Sequence, residues 1–207
     1  MRKSRWIILF LSLIVFLFIA ENVWNQDLML LDVKGYAFIS KYLISDFTTP
    51  IAKIITQFGG AIILIAVSLL SLIIIKNKNI GIAISSNLAI IGLLNWLLKV
   101  IVQRPRPTEF RLIDQSGYSF PSGHSMISMA FYGFIMYLVY KKVENKYLKW
   151  GLITFLGILI ICIGTSRIYL GVHYTSDVLA GFLISIAYLM VFTNIVKKYI
   201  IDVEKRD

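Results

Sequence analysis

The chain has 2 histidines among its 207 residues, and each stands beside residues suited to gripping phosphate. His124 closes the string Pro121-Ser122-Gly123-His124, while His173 follows Ser166-Arg167 after five residues and precedes Asp177 after three. Upstream, six residues separate Lys99 from Arg106-Pro107. Hydrolysis of a phosphate ester asks for cations on the oxygens, a nucleophile, and a proton for the leaving alkoxide. Lys99, Arg106 and Arg167 answer the first need. Guanidinium forks match phosphate oxygens two at a time, the lysine adds a point charge, and together they stabilise a trigonal-bipyramidal phosphoryl group. Pro121 to His124 reads as the approach to a helix N-terminus, where free backbone N–H groups and the helix dipole favour an anion. There Gly123 lets the backbone come close, and Ser122 can donate its hydroxyl or simply cap the helix. His173 and Asp177 stand one helical turn apart, so the carboxylate can reach back to one imidazole nitrogen and fix the tautomer whose other nitrogen attacks phosphorus. Glu109 and Asp114 lack ligand spacing, so the expected chemistry uses no metal ion and no cofactor.

The three blocks, K-x6-RP, PSGH and SR-x5-H-x3-D, resemble in that order the signature of the type 2 phosphatidic acid phosphatase superfamily. That superfamily also includes bacterial phosphatidylglycerophosphate phosphatase B and undecaprenyl pyrophosphate phosphatases. The resemblance implies that His173 is the nucleophile and forms a phosphohistidine, that Asp177 orients it, and that His124 is the general acid which later activates water. It implies a phosphate cradle of Lys99, Arg106, Ser122, Gly123 and Arg167. The implied substrates are phosphatidylglycerol phosphate and undecaprenyl pyrophosphate first, then phosphatidic acid and shorter isoprenyl pyrophosphates. Vanadium haloperoxidases in the same superfamily hold vanadate with a similar set, but they are soluble proteins. A lipid transporter with a relic site would not need every motif residue, and here all are present.

Composition says where such a site must sit. The chain is 58% hydrophobic with mean hydropathy +0.78, and 15% charged, whereas a soluble domain is about a quarter charged. We therefore expect an all-α polytopic membrane protein of one domain, 1–207. Six stretches approach the roughly 20 apolar residues a spanning helix needs: Trp6 to Trp24, Ile51 to Ile75, Ile80 to Val102, Ser125 to Tyr140, Leu148 to Ile163 and Val178 to Val196. Barrel-type alternation is not found. The first stretch ends in bulky residues without a small-x-small cleavage pattern and is expected to be a retained anchor.

With the N-terminus inside, 13 lysines and arginines fall on the cytoplasmic side against 6 opposite. The positive-inside rule then puts both termini in the cytoplasm of a bacterial-type plasma membrane and all three motifs at the outer membrane–water interface. The +10 net charge is mostly this topology signal plus contact with anionic headgroups, and points to lipid rather than nucleic acid as partner. Residues 25–49 mix apolar and charged residues and suit amphipathic helices in the outer interface. Thr49-Pro50 reads as a cap and first helical residue of the second span, Gly59-Gly60 as a site of close packing, and Thr175 or Ser176 as caps of the last helix. Gln103 to Gly123, with Pro105, Pro107, Gly117 and Pro121, reads as an ordered irregular loop whose Glu109, Arg111, Asp114 and Tyr118 are solvated. Met126, Met129, Met136 and Cys162 read as packing residues.

Overall fold

The computed structural model describes residues 3–25 and 28–200, and all regular structure among them is helical. Arg2, Asp27, Lys205 and Arg206, which entered the sequence reading, lie outside the described residues. The helices are α1 Lys3–Trp24, α2 Leu30–Tyr42, α3 Thr48–Gln57, α4 Ala61–Ile74, α5 Lys78–Val102, α6 Gly123–Lys142, α7 Lys146–Tyr169 and α8 Thr175–Ile200. Helix α6 is the axis of the bundle, packed against α5, α7 and α8, while α1 lies along α8 and α4 along α5. Its Met126, Ala130, Phe131 and Phe134 are inaccessible, with Met129 and Met136 filling in around them. Outward-facing apolar side chains are left bare, such as Ile62 at 85% and Ile73 at 74% exposure on α4. Contiguous apolar surface of this extent calls for hydrocarbon around it.

Of the six expected spans, four or five are supported by helix length and composition. Among the described residues, four helices are long and apolar enough to cross a membrane: α1, α5, α7 and α8 as far as Lys197. The expected second span is two helices, α3 and α4, which meet at 42° and would together make a fifth. The break falls at Phe58 to Gly60, where Tyr132 donates its hydroxyl to the freed Phe58 carbonyl at 2.7 Å. A Cβ on Gly59 would stand 2.6 Å from Ile163 Cγ2 and 3.2 Å from His124 Cδ2, so the close-packing reading holds there. Helix α6 is not among the four because it is built for protein neighbours. It buries Ser125 and Ser128 and ends in Lys141 and Lys142.

Residues 25–49 supply α2, which packs on α7 and α8 and buries Asp32 and Ile39. The next helix starts at Thr48, two residues before the expected position, and Thr49 does not cap it. Ser45 and Thr48 exchange amide-to-hydroxyl bonds, Ser45 N to Thr48 Oγ1 at 3.1 Å and Thr48 N to Ser45 Oγ at 3.2 Å. This reciprocal pair closes the turn that leads into α3, and Pro50 still falls in the first turn, where no intrahelical N–H is needed. At the start of α8 neither Thr175 nor Ser176 caps. The Asp177 carboxylate instead reaches back to the Tyr174 amide at 2.9 Å.

The turn from α7 to α8 explains the spacing from Arg167 to His173. Gly171 N bonds Ile168 O at 3.0 Å and Val172 N bonds Arg167 O at 3.2 Å, with Gly171 at φ 68°. This paired cap needs a left-handed residue, which glycine adopts without strain. A Cβ on Gly171 would also lie 2.1 Å from the Phe110 carbonyl oxygen, so the turn is clamped to the 103–122 loop. Gly171→Ala should therefore lower the thermal midpoint, by the equivalent of about 1–3 kcal/mol, and disable the site. Gly157→Ala in α7, whose Cβ would meet nothing within 4 Å, should keep or raise it. Equal midpoints for the two variants in detergent would contradict this account.

Candidate active site

The ends of α5, α6, α7 and α8, with the loop between α5 and α6, bring the three motifs to one end of the bundle. Arg5 meets Met190 and Thr193 at the other end. Lys99, on the last turn of α5, donates to the carbonyls of Tyr118 at 2.6 Å and Ser119 at 3.2 Å. Arg106, from the loop, donates through Nε to Gly117 O at 2.9 Å and through Nη1 to Val172 O at 2.9 Å. Arg167, on the last turn of α7 and 1% exposed, donates to Thr56 Oγ1 at 2.7 Å and Gln115 Oε1 at 2.9 Å, while its Nε has no partner. Their main partners are neutral oxygens, so the positive charge is oriented without being cancelled. Burial holds Arg106 down at about 10, still protonated near neutrality.

His173 lies just past the Gly171 turn, 3% exposed. Arg106 Nη1 stands 2.9 Å from its Nε2. A guanidinium can only donate, so Nε2 carries the lone pair and Nδ1 the proton. Nδ1 faces Asp177 Oδ2 at 3.4 Å and Ser119 Oγ at 3.3 Å. The spacing read in the sequence thus yields the expected imidazole–carboxylate pair. Burial outweighs the neighbouring Asp177 carboxylate and holds the His173 pKa down at about 3, which leaves the ring neutral, its Nε2 lone pair facing Arg106.

Ser122 is the N-cap of α6, fully buried, its oxygen accepting from Ser125 N and from Ser125 Oγ at 2.9 Å. Its own proton remains available to donate. Gly123 opens the helix with Asn95 Oδ1 and Lys99 against the place a Cβ would take. His124 sits between the α3–α4 break and the cations, within electrostatic reach of Arg167, His173, Arg106 and Lys99. The eight motif residues singled out from the sequence are therefore gathered in one place, and Glu109, Arg111, Asp114 and Tyr118 are exposed. Cys162 of α7 is half-buried and unpaired.

Five partners were not legible as site residues. Ser119 donates to Asp177 Oδ2, and Gln115 and Thr56 hold Arg167. Arg104, one loop residue among several cations, turns out to be buried and to donate to Asp177 Oδ1 at 2.7 Å and to Asp32 Oδ2 at 2.8 Å. A single Asp on an amphipathic stretch carries no spacing signal, so Asp32 could not be found this way. A cavity of about 620 Å³ lies between α2 and residues 107–110, but its charged lining groups are Asp32 and Glu109. That lining offers no cation to a phosphate, whereas Lys99, Arg106 and Arg167 lie within electrostatic reach of one another at the motif end. Among the described residues no group of three His, Cys, Asp or Glu is arranged to hold a metal ion.

Residues 80–201 match the model of the PAP2 superfamily. The chain is 42% identical to phosphatidylglycerophosphatase B of Bacillus subtilis over 92 residues, a match covering 44% of this chain and 45% of that protein. It is 29% identical to undecaprenyl-diphosphatase of Sulfolobus acidocaldarius over 192 residues, covering 89% and 87% respectively. The fold is similar to the crystal structure of a transmembrane PAP2-type phosphatidylglycerolphosphate phosphatase from Bacillus subtilis, with TM-score 0.81 at 24% identity over 92% of this chain and 96% of that one. On the family match and the gathered motifs together, the chain belongs to the PAP2 superfamily.

Proposed function

We propose that this protein is an integral-membrane lipid phosphatase that hydrolyses the terminal phosphate of a lipid monophosphate or pyrophosphate through a phosphohistidine. The observation that carries the reading is the neutral His173, with its Nε2 lone pair turned into a cluster of cations and its Nδ1 proton turned to Asp177. A phosphoryl group drawn between Lys99, Arg106 and Arg167 would take Arg106 off Nε2 and present phosphorus to it. Nε2 then attacks, the bond from phosphorus to the lipid oxygen breaks, and His124 gives that oxygen its proton. In the second half His124 takes a proton from water, the water oxygen attacks phosphorus, and the N–P bond breaks to release phosphate. No metal ion enters either half.

The names of the relatives point to phosphatidylglycerol phosphate and undecaprenyl pyrophosphate as first substrates to try. In this reading the chain crosses the membrane six times, with the bent α3–α4 pair as one pass and α6 threaded through the interior. The cytoplasmic end carries Arg5 and the basic turns at Lys76 to Asn79 and Lys141 to Lys149, and the site opens on the extracytoplasmic face. The cation asymmetry supports this orientation, as does the position of the motifs at the end of the bundle away from Arg5.

With purified protein and these lipids, His173→Asn should lose at least about 10³-fold in phosphate release. Acid quench of the wild type should trap nitrogen-bound phosphate. His124→Ala should lose about 10²- to 10⁴-fold on alkoxide leaving groups and far less on nitrophenyl phosphate. Equal losses on both substrates would remove His124 from the acid role.

A neutral buried His173 also has a stability signature. Its pKa in the folded protein is lowered from 6.5 to about 3, so below about pH 6.5 the unfolded chain takes up a proton that the folded one refuses. Stability should fall as pH drops through that window, by roughly 1 kcal/mol per pH unit from this group alone. His173→Asn should lose less thermal stability than the wild type between pH 7.5 and 5.5, and parallel losses would mean that His173 is protonated in the fold.

For orientation, a cysteine at exposed position 116 in a Cys162→Ala background should react with an impermeant maleimide on intact cells. One at position 145 should react only after lysis. The reverse pattern would put the site on the cytoplasmic face.

A further inference from the structure

A carboxylate that orients a histidine must itself be oriented, and in this chain the means comes from far upstream. Asp177 presents one oxygen, Oδ2, to His173, Ser119 and the Tyr174 amide. Its other oxygen, Oδ1, is held by Arg104 Nη1 at 2.7 Å. The same Nη1 donates to Ser176 Oγ at 2.7 Å, and Nη2 donates to Asp32 Oδ2 at 2.8 Å. Asp32 also accepts from Ser176 N at 2.8 Å and Ser176 Oγ at 2.9 Å, so α2 is pinned to the first turn of α8. The Tyr174 ring lies 4.0 Å from the guanidinium carbon and fixes its plane. Asp32 is 3% exposed, Arg104 8% and Asp177 0%.

Stability is a weak account of such a cluster, because apolar residues of like volume commonly hold a core as well as buried ions do. Geometry is a stronger one. Rotation of the Asp177 carboxylate would move Oδ2 off Nδ1, and Arg104 Nη1 on Oδ1 opposes that rotation. Arg104 can bridge both carboxylates only while Asp32 holds its second nitrogen.

We propose that Asp32, acting through Arg104, is a positioning residue for the Asp177–His173 pair. The inference rests on the phosphatase reading above and adds to it a contribution from α2, which precedes the segment matched by the family model.

The test is a double-mutant comparison on purified protein with a lipid phosphate that the wild type turns over. Asp32→Asn keeps the shape and an acceptor for Ser176 but removes the charge facing Arg104. It should lower kcat by about 10- to 100-fold with KM changed less than about twofold. Added to Asp177→Asn it should change the residual rate less than about twofold, since the effect runs through Asp177. Arg104→Lys keeps a cation but not the fork, and should repeat both results. It replaces Asp32→Asn in the comparison if that variant does not elute as a folded, monodisperse species. A kcat within twofold of wild type, or the same fractional loss in the Asp177→Asn background, would overturn the positioning role. Absence of nitrogen-bound phosphate in the wild type would instead sink the phosphohistidine reading and leave the Asp32 comparison to be read on kcat.

Discussion

The site turns on one buried carboxylate. Asp177 is inaccessible to solvent, and an ionised carboxylate taken out of water must be met by donors from every side. Those donors come from separate parts of the chain. Arg104 and Ser119 belong to the loop after α5, Tyr174 to the α7–α8 turn, and His173 stands one turn before the carboxylate. Even the Asp177 backbone oxygen is used, accepting from Ser122 N at 3.1 Å and so tying α8 to the PSGH motif. The three motifs thus share a center. Burial lowers the tendency of Arg104 to hold its proton, but the Asp177 and Asp32 carboxylates outweigh that and keep it charged.

Around this anion the chain assembles like charges that repel one another, and the way it holds them matters for what they can do. Lys99 and Arg106 are fixed by backbone carbonyls, and Arg167 by a hydroxyl and an amide oxygen. Dipolar acceptors orient a cation without neutralising it. The field therefore stays available for an incoming dianion, and little reorganisation remains to be done when charge shifts in the transition state. Carboxylate partners would have given tighter ion pairs and a weaker anion site.

The motifs were legible because each spacing is a piece of local geometry. SR-x5-H encodes a glycine-capped turn at Gly171, H-x3-D encodes the reach of Asp177 back over the start of α8, and PSGH encodes a cap at Ser122. What joins the motifs was not legible, since Asp32, Thr56 and Gln115 act alone and reach their partners only through tertiary packing. The break at Gly59-Gly60 was visible as a dipeptide, but helix continuity was judged on hydropathy, which is blind to a bend whose freed carbonyl is satisfied by Tyr132. Hydropathy is also a weak guide to α6, whose neighbours are the helices α5, α7 and α8.

The bend and α2 have a common consequence. A helix running straight from Thr48 to Ile74 would leave no turn of chain at Gly59 to lie against His124, and Thr56 would not stand beside Arg167. Without α2, Arg104 would have Asp177 alone as its carboxylate partner, and its second nitrogen would lose its acceptor in the protein. The segment matched by the family model contributes the reacting groups, while residues before it supply the acceptor for Arg104 and one wall against His124. In a bundle whose apolar exterior favours lipid on all sides, those upstream contacts fix the orientation of the polar end. The N-terminal third is thus part of the site's geometry rather than an appendage to it.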